Sequence, residues 1–152
     1  KTMRTRDFDI KVDTDFPAVI EGCATEGEDR DSTWINPEIR RLYGALFDRG
    51  IVHTVEVWDG TELVGGLYGL SLGAAFFGES MFHRVTDCSK IAMAHLLQRL
   101  SAGGYRLLDT QFVTDHLKTF GGIEIPREDY ELRLGDALQH KGDFFAIDRQ
   151  SI

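Results

Sequence analysis

At 152 residues the chain is long enough for one hydrophobic core and too short for two, so a single domain over residues 1–152 is expected. Hydrophobic residues at 42% and charged residues at 28% exclude a disordered or fibrous class, and no apolar run reaches the ~20 residues that cross a bilayer. The net charge of −8 excludes wholesale electrostatic wrapping of nucleic acid while leaving room for a local basic patch.

From Asp15 to Ala24 the apolar positions Phe16, Val19, Ile20 and Cys23 recur at helical spacing. Gly27 to Ser32 reads as an acidic loop leading to Trp34, and the basic residues Lys1, Arg4 and Arg6 read as a frayed terminus or a polarised patch. Asn36-Pro37 is a helix start, with Ile39, Leu42, Tyr43, Leu46 and Phe47 on the inner face and Gly50 as the stop. Strands follow at Val52–Trp58, Leu63–Leu70 and Ala74–Glu79, with Asp59-Gly60 as the turn of a hairpin. Gly65, Gly66, Gly69 and Gly73 punctuate this meander, which points either to a ligand-facing surface or to bulges and tight turns.

Thr86 or Asp87 caps a helix to about Ser101 with Met93, Leu96, Leu97 and Leu100 as its stripe, stopped by Gly103-Gly104. A strand at Tyr105–Val113 then places Leu107, Asp109, Gln111 and Val113 on one face and Leu108, Thr110 and Phe112 on the other. A short helix from Asp115 to Phe120, a last helix from Pro126 with Tyr130, Leu134 and Leu138 inside, and a strand at Phe144–Ile147 complete the order. Strand, helix and strand between residues 74 and 113 form a crossover, which requires a parallel pair. The fold class is α/β (α+β), a mixed and mostly antiparallel sheet flanked by helices.

Several chemistries lack their residues. Gly78-Glu79-Ser80-Met81-Phe82 is no nucleophile elbow, and neither a phosphate loop nor a dinucleotide fingerprint is present. The histidines at 53, 83, 95, 116 and 140 form no metal pair with a third ligand, and Cys23 and Cys88 have no metal-ligand spacing, so no metal is expected. A reducing cytoplasm suits those cysteines. Carboxylate chemistry remains. Asp109 with Gln111 on the same face suits the holding and polarising of an amine or a carbonyl, with the carboxylate accepting protons, or Asp109 caps a neighbouring turn. Glu79 either binds an amino group or pairs with Arg84 or Lys90. Trp34 is either a core anchor or a stacking platform for a base.

Val19-Ile20-Glu21-Gly22-Cys23-Ala24, Thr33-Trp34-Ile35, His53-Thr54-Val55-Glu56-Val57-Trp58 and Leu63-Val64-Gly65-Gly66-Leu67-Tyr68-Gly69 stand in order along the chain. They are followed by Phe77-Gly78-Glu79-Ser80-Met81-Phe82, Cys88-Ser89-Lys90, Leu108-Asp109-Thr110-Gln111 and Glu124-Ile125-Pro126-Arg127. With these motifs the chain resembles the leucyl/phenylalanyl-tRNA–protein transferase family from about residue 10 to 147.

The resemblance implies a GNAT-like domain that moves leucine or phenylalanine from aminoacyl-tRNA to the amino group of proteins beginning with arginine or lysine, marking them through the N-degron route. It implies Asp109 and Gln111 as catalytic aspartate and partner glutamine, and Glu79 as the glutamate of the Gly-Glu-Ser motif. Trp34 stacks near the terminal adenosine, Leu67, Met81, Leu96, Leu100 and Leu108 line the side-chain pocket, and Lys1 and Arg4 belong to a tRNA-contacting cluster. No cofactor, no membrane and a monomer are expected. An acyl-CoA-dependent acetyltransferase would need a Q/R-x-x-G-x-G/A loop, which Gly78 to Lys90 lacks. The non-enzymatic alternative is a module that binds aminoacyl-tRNA or protein N-termini without turnover. Family members usually carry a further N-terminal domain, so the chain reads as a short form or as lacking that part. Leucine at two pocket positions often held by phenylalanine leaves the amino-acid preference open.

Overall fold

The structure is a computed structural model that describes residues 3–5, 8–26, 36–110 and 125–149. Six strands stand side by side in chain order: β1 (Met3–Thr5), β2 (Phe8–Val12), β3 (Val52–Asp59), β4 (Glu62–Leu72), β5 (Ala75–His83) and β6 (Leu107–Thr110). Pairing is antiparallel from β1 through β5 and parallel between β5 and β6. The parallel pair follows from α3 (Cys88–Ala102), which carries the chain back across the sheet before β6. The expected mixed sheet is therefore present, with β1 and β2 added where a frayed terminus was anticipated. The alternation Phe8, Ile10, Val12 forms β2, and Ile10 and Val12 are buried against the neighbouring strand.

Each face of the sheet carries its own apolar layer. Val55, Val57, Leu67, Phe76 and Met81 face α3 and pack on Met93, Leu96 and Leu100. The alternate residues Val52, Tyr68 and Phe82 face α1 (Phe16–Glu26), which contributes Phe16, Val19, Ile20 and Cys23. Beside α1 on the same face of the sheet lies α2 (Pro37–Asp48), opened by Asn36 Oδ1, which accepts from the Ile39 amide at 2.9 Å. Tyr43, Leu46 and Phe47 of α2 pack inward. Leu42 does not, at 53% exposed. It sits about 100° around the helix from Tyr43, beyond the edge of the contact.

Three local expectations are corrected and one open alternative is decided. The β3–β4 loop is Gly60-Thr61, one residue later than Asp59-Gly60, because Asp59 pairs with Glu62 and Gly60 takes the left-handed φ of 61°. Of the two readings of the β4 glycines, bulge and close packing are carried by the structure, with the β4–β5 register shifting between Tyr68 and Gly69. A Cβ on Gly65 would lie 2.6 Å from Cys88 Cβ on α3, and one on Gly69 would lie 2.4 Å from the Phe77 carbonyl oxygen. Asp87 stands before α3 but gives no side-chain cap, and pairs with Lys90 at 3.5 Å. Phe144–Ile147 is not a strand: Phe144 is buried and stacks on His53 at 4.2 Å, followed by a 3-10 turn at Ala146–Arg149. Arg99 enforces that turn, since its buried guanidinium donates to the Phe144 carbonyl at 2.8 Å and to both Asp148 oxygens at 2.8 and 3.0 Å.

The last helix, α4 (Arg127–Leu138), lies beside β5 and β6, with Leu134 and Ala137 packed on Ala74, Ala75, Phe77 and Leu107. Leu138 is 48% exposed instead of inside. The expected loop at Gly27–Ser32, the helix at Asp115–Phe120 and the strand residues beyond Thr110 lie outside the described residues.

Candidate active site

Register brings two carboxylates to one face. In the β5–β6 ladder Phe77 is directly opposite Asp109, so both side chains leave the sheet on the same side, toward α2 and α4. Glu79 lies two residues beyond Phe77. β5 continues through it to His83 instead of ending there, and the β4 register shifts: Tyr68 pairs with Ser80 and Gly69 with Gly78, leaving Glu79 as an extra, unpaired residue. This bulge lets consecutive residues reach the same face. Glu79 accepts a hydrogen bond from Tyr43 of α2 at 2.8 Å, while Ser80 bonds the Cys23 thiol of α1.

Asp109 Oδ2 accepts from the Tyr130 hydroxyl of α4 at 2.6 Å. Each acid is thus held by a tyrosine from a different helix, and the turn-capping and ion-pair alternatives for them are not what these bonds show. Arg84 donates to the Leu63 carbonyl at 2.9 Å and Lys90 pairs with Asp87.

Burial pushes the Glu79 carboxyl above the ordinary glutamate range; the Tyr43 bond opposes this and the Asp109 charge adds to it. A half-buried acid whose proton affinity is raised beside a second carboxylate forms a cation-seeking site, suited to an ammonium group or to taking up a proton. Burial, then the bond and charge of Glu79, keep the Tyr43 phenol protonated, and it remains a donor. Tyr68 lies behind it, its ring 5.7 Å from that of Tyr43, with a buried hydroxyl that has no partner among the described residues.

The expected pocket residues do come together. Leu67, Met81, Leu96 and Leu100 are 0–5% exposed in the α3-side cluster, with Leu108 half-buried against it. That cluster lies across the sheet from the Glu79 and Asp109 side chains. Trp34, Gln111 and Lys1 lie outside the described residues, and for Arg4 only the backbone, paired with Asp9 in β1, is described. No cluster of three metal-ligating side chains occurs among the described residues.

Sequence reading passed over Glu56, which is fully buried. Its Oε2 accepts from the Thr14 and Asp15 amides at 3.0 Å each and from Thr54 Oγ1 at 2.6 Å; its Oε1 accepts from Trp58 Nε1 at 3.0 Å and from Thr14 Oγ1. It fastens the turn that leads into α1. Its alternation with Thr54 and Trp58 on one face of β3 was the available signal.

The sheet order with its parallel end pair is a fold shared with known solved structures. Solved structures similar to it include a probable acetyltransferase, at TM-score 0.59 and 12% identity over 82% of this chain and 92% of that one. Another is an aminoglycoside acetyltransferase from an uncultured soil metagenomic sample, at TM-score 0.56 and 14% identity over 80% of this chain and 94% of that one. At those identities the likeness concerns the fold alone, which is GNAT-like.

Sequence relationship is more specific. The family model described as leucyl/phenylalanyl-tRNA protein transferase matches residues 1–135. Proteins named leucyl/phenylalanyl-tRNA--protein transferase are 58% identical in Rhodopseudomonas palustris (strain TIE-1), over 97% of this chain and 65% of theirs, and 56% identical in Caulobacter vibrioides (strain NA1000 / CB15N), over 97% and 68%. The relative in Paramagnetospirillum magneticum (strain ATCC 700264 / AMB-1) is 60% identical over 91% of this chain and 66% of its own length. The chain belongs to the leucyl/phenylalanyl-tRNA protein transferase family, and spans about two thirds of the length of these relatives.

Proposed function

We propose that this chain transfers leucine or phenylalanine from aminoacyl-tRNA to the N-terminal amino group of proteins that begin with arginine or lysine, a step of the N-degron route. The observation that carries this reading is family membership over nearly the whole chain, and the paired acids Glu79 and Asp109 supply chemistry that fits it. The aminoacyl ester is already activated, so the protein's task is to bring in an amine and manage its proton. The amine nitrogen attacks the ester carbonyl, the C–N bond forms, the C–O bond to the ribose breaks, and the ribose oxygen leaves as a hydroxyl with the proton given up by the amine. Holding the reactants together can supply on the order of 7–11 kcal/mol in the best-oriented cases.

In this reading Asp109 and Gln111 hold the acceptor amine, and Asp109 takes or steers the proton. Glu79 holds positive charge beside them. Trp34 stacks on the terminal adenosine, and Lys1 and Arg4 meet the tRNA backbone. The transferred side chain seats among Leu67, Met81, Leu96, Leu100 and Leu108, entering at half-buried Leu108, the neighbour of Asp109 in β6. The protein works in the cytoplasm as a monomer.

The test mixes the protein with leucyl- or phenylalanyl-tRNA and a peptide beginning with arginine, and reads the peptide mass. Extension by one residue is expected, and its absence with folding intact sinks the proposal. Asp109→Asn is expected to keep peptide and tRNA binding and lose transfer. A wild-type chain that binds both and never turns over is instead a binding module.

A further inference from the structure

Asp109 occupies a precarious position for a group that must present a carboxylate in one orientation. It stands on a four-residue strand at the edge of the sheet, paired on one side only among the described residues. A carboxyl group turns easily about its last torsion. Among the described residues its hydrogen-bond partner is the Tyr130 hydroxyl, at 2.6 Å from Oδ2 and from a helix 21 positions further along the chain. With Oδ2 engaged, Oδ1 is left to face another group.

We propose that Tyr130 is a positioning residue for Asp109, fixing one carboxylate oxygen so that the other receives the acceptor amine, and that α4 is thereby part of the transfer site. This rests on the role given to Asp109 above. The bond is not needed to attach α4, which is anchored at its other end. There Ala137 is fully buried, its carbonyl accepts from the Ala74 amide at 2.8 Å, and the Gly142 amide donates to the Gly73 carbonyl at 2.9 Å. Tyr130 lies seven residues before Ala137, about 10 Å along the helix axis, directly over the acid. Its hydroxyl is a dependable donor, because the bond to Asp109, with burial and the Asp109 charge, pushes its pKa up to about 12. Tyr43 stands to Glu79 in the same relation from α2, so each acid of the site is oriented from a separate helix.

Tyr130→Phe removes the hydroxyl and keeps the ring. In steady-state transfer to an arginine-starting peptide it is expected to lower kcat roughly ten- to a hundredfold, the factor expected for a lost hydrogen bond to a charged group. The KM for leucyl-tRNA and the thermal midpoint should stay as in wild type. Separately, ¹³C-tyrosine NMR of Asp109→Asn should show the Tyr130 resonance titrating at lower pH than in wild type. Wild-type transfer with unchanged kcat in Tyr130→Phe, or an unmoved Tyr130 titration, overturns the inference and leaves the functional proposal standing. A wild-type chain that transfers nothing overturns both.

Discussion

Glu56→Gln removes the charge from a carboxylate that is fully buried and accepts from two backbone amides, two threonine hydroxyls and the Trp58 indole. The amide keeps one acceptor oxygen and turns the other position into a donor. If the oxygen stays toward the Thr14 and Asp15 amides, the new NH₂ confronts the Trp58 N–H, and that donor is orphaned at a cost of about 1–3 kcal/mol. The remaining bonds lose their charge assistance, each having contributed about 1.5–3 kcal/mol while the acceptor was ionised. Allowing for partial rearrangement, the expected loss is about 3–5 kcal/mol. Against a total stability of roughly 5–15 kcal/mol for an ordinary domain, this is a large fraction. Urea unfolding followed by tryptophan fluorescence measures it, with Trp58 beside the altered group as reporter. The turn before α1 should loosen first, and with it the helix whose Cys23 meets Ser80 beside Glu79. A midpoint shift worth less than about 1 kcal/mol at unchanged slope refutes the reasoning.

Acid should weaken the fold through His95, whose pKa burial, then the neighbouring Arg99, depress to about 4 from 6.5. Its contribution is complete above the unfolded value and is lost as pH falls from 6.5 through 4, amounting to roughly 3 kcal/mol at most. His95→Gln should flatten stability over that window; an equally steep slope in both proteins contradicts the assignment. Tyr68→Phe removes a buried hydroxyl that has no partner among the described residues, so unfolding should show unchanged stability or a gain of about 1 kcal/mol; a loss of that size would mean the hydroxyl is satisfied. Gly65→Ala places a Cβ 2.6 Å from Cys88 Cβ and 3.0 Å from its carbonyl carbon, forcing α3 outward at a cost of about 1–3 kcal/mol. Stability within 0.5 kcal/mol of wild type, an order-of-magnitude threshold for ordinary surface changes, argues that α3 is free to move.

Local patterns read well wherever one physical effect dominated. The capped start of α2 at Asn36-Pro37, the stripe of α3 and the crossover to β6 were legible because capping, helical periodicity and the need for a long parallel connection each leave a direct mark. Leu42 and Leu138 were misplaced because periodicity marks a face without saying how wide its contact is. The β4 glycines carried two readings for a similar reason: a missing side chain shows that something comes close, and only packing shows that Cys88 and the Phe77 carbonyl do. Glu56 passed unnoticed because its donors come largely from residues some forty positions away.

By itself the sequence determined the fold class, the family, and the placement of Asp109 on the face of its strand opposite Leu108, since alternation on a strand is a local property. Only the tertiary structure decided that Glu79 shares that face, because a bulge depends on the register of two strands. It alone decided that the Asp109 charge bears on Glu79, and that tyrosines of α2 and α4 hold the two acids. Those contacts join residues 36 and 21 positions apart, and no spacing rule reaches across such distances until the helices have packed.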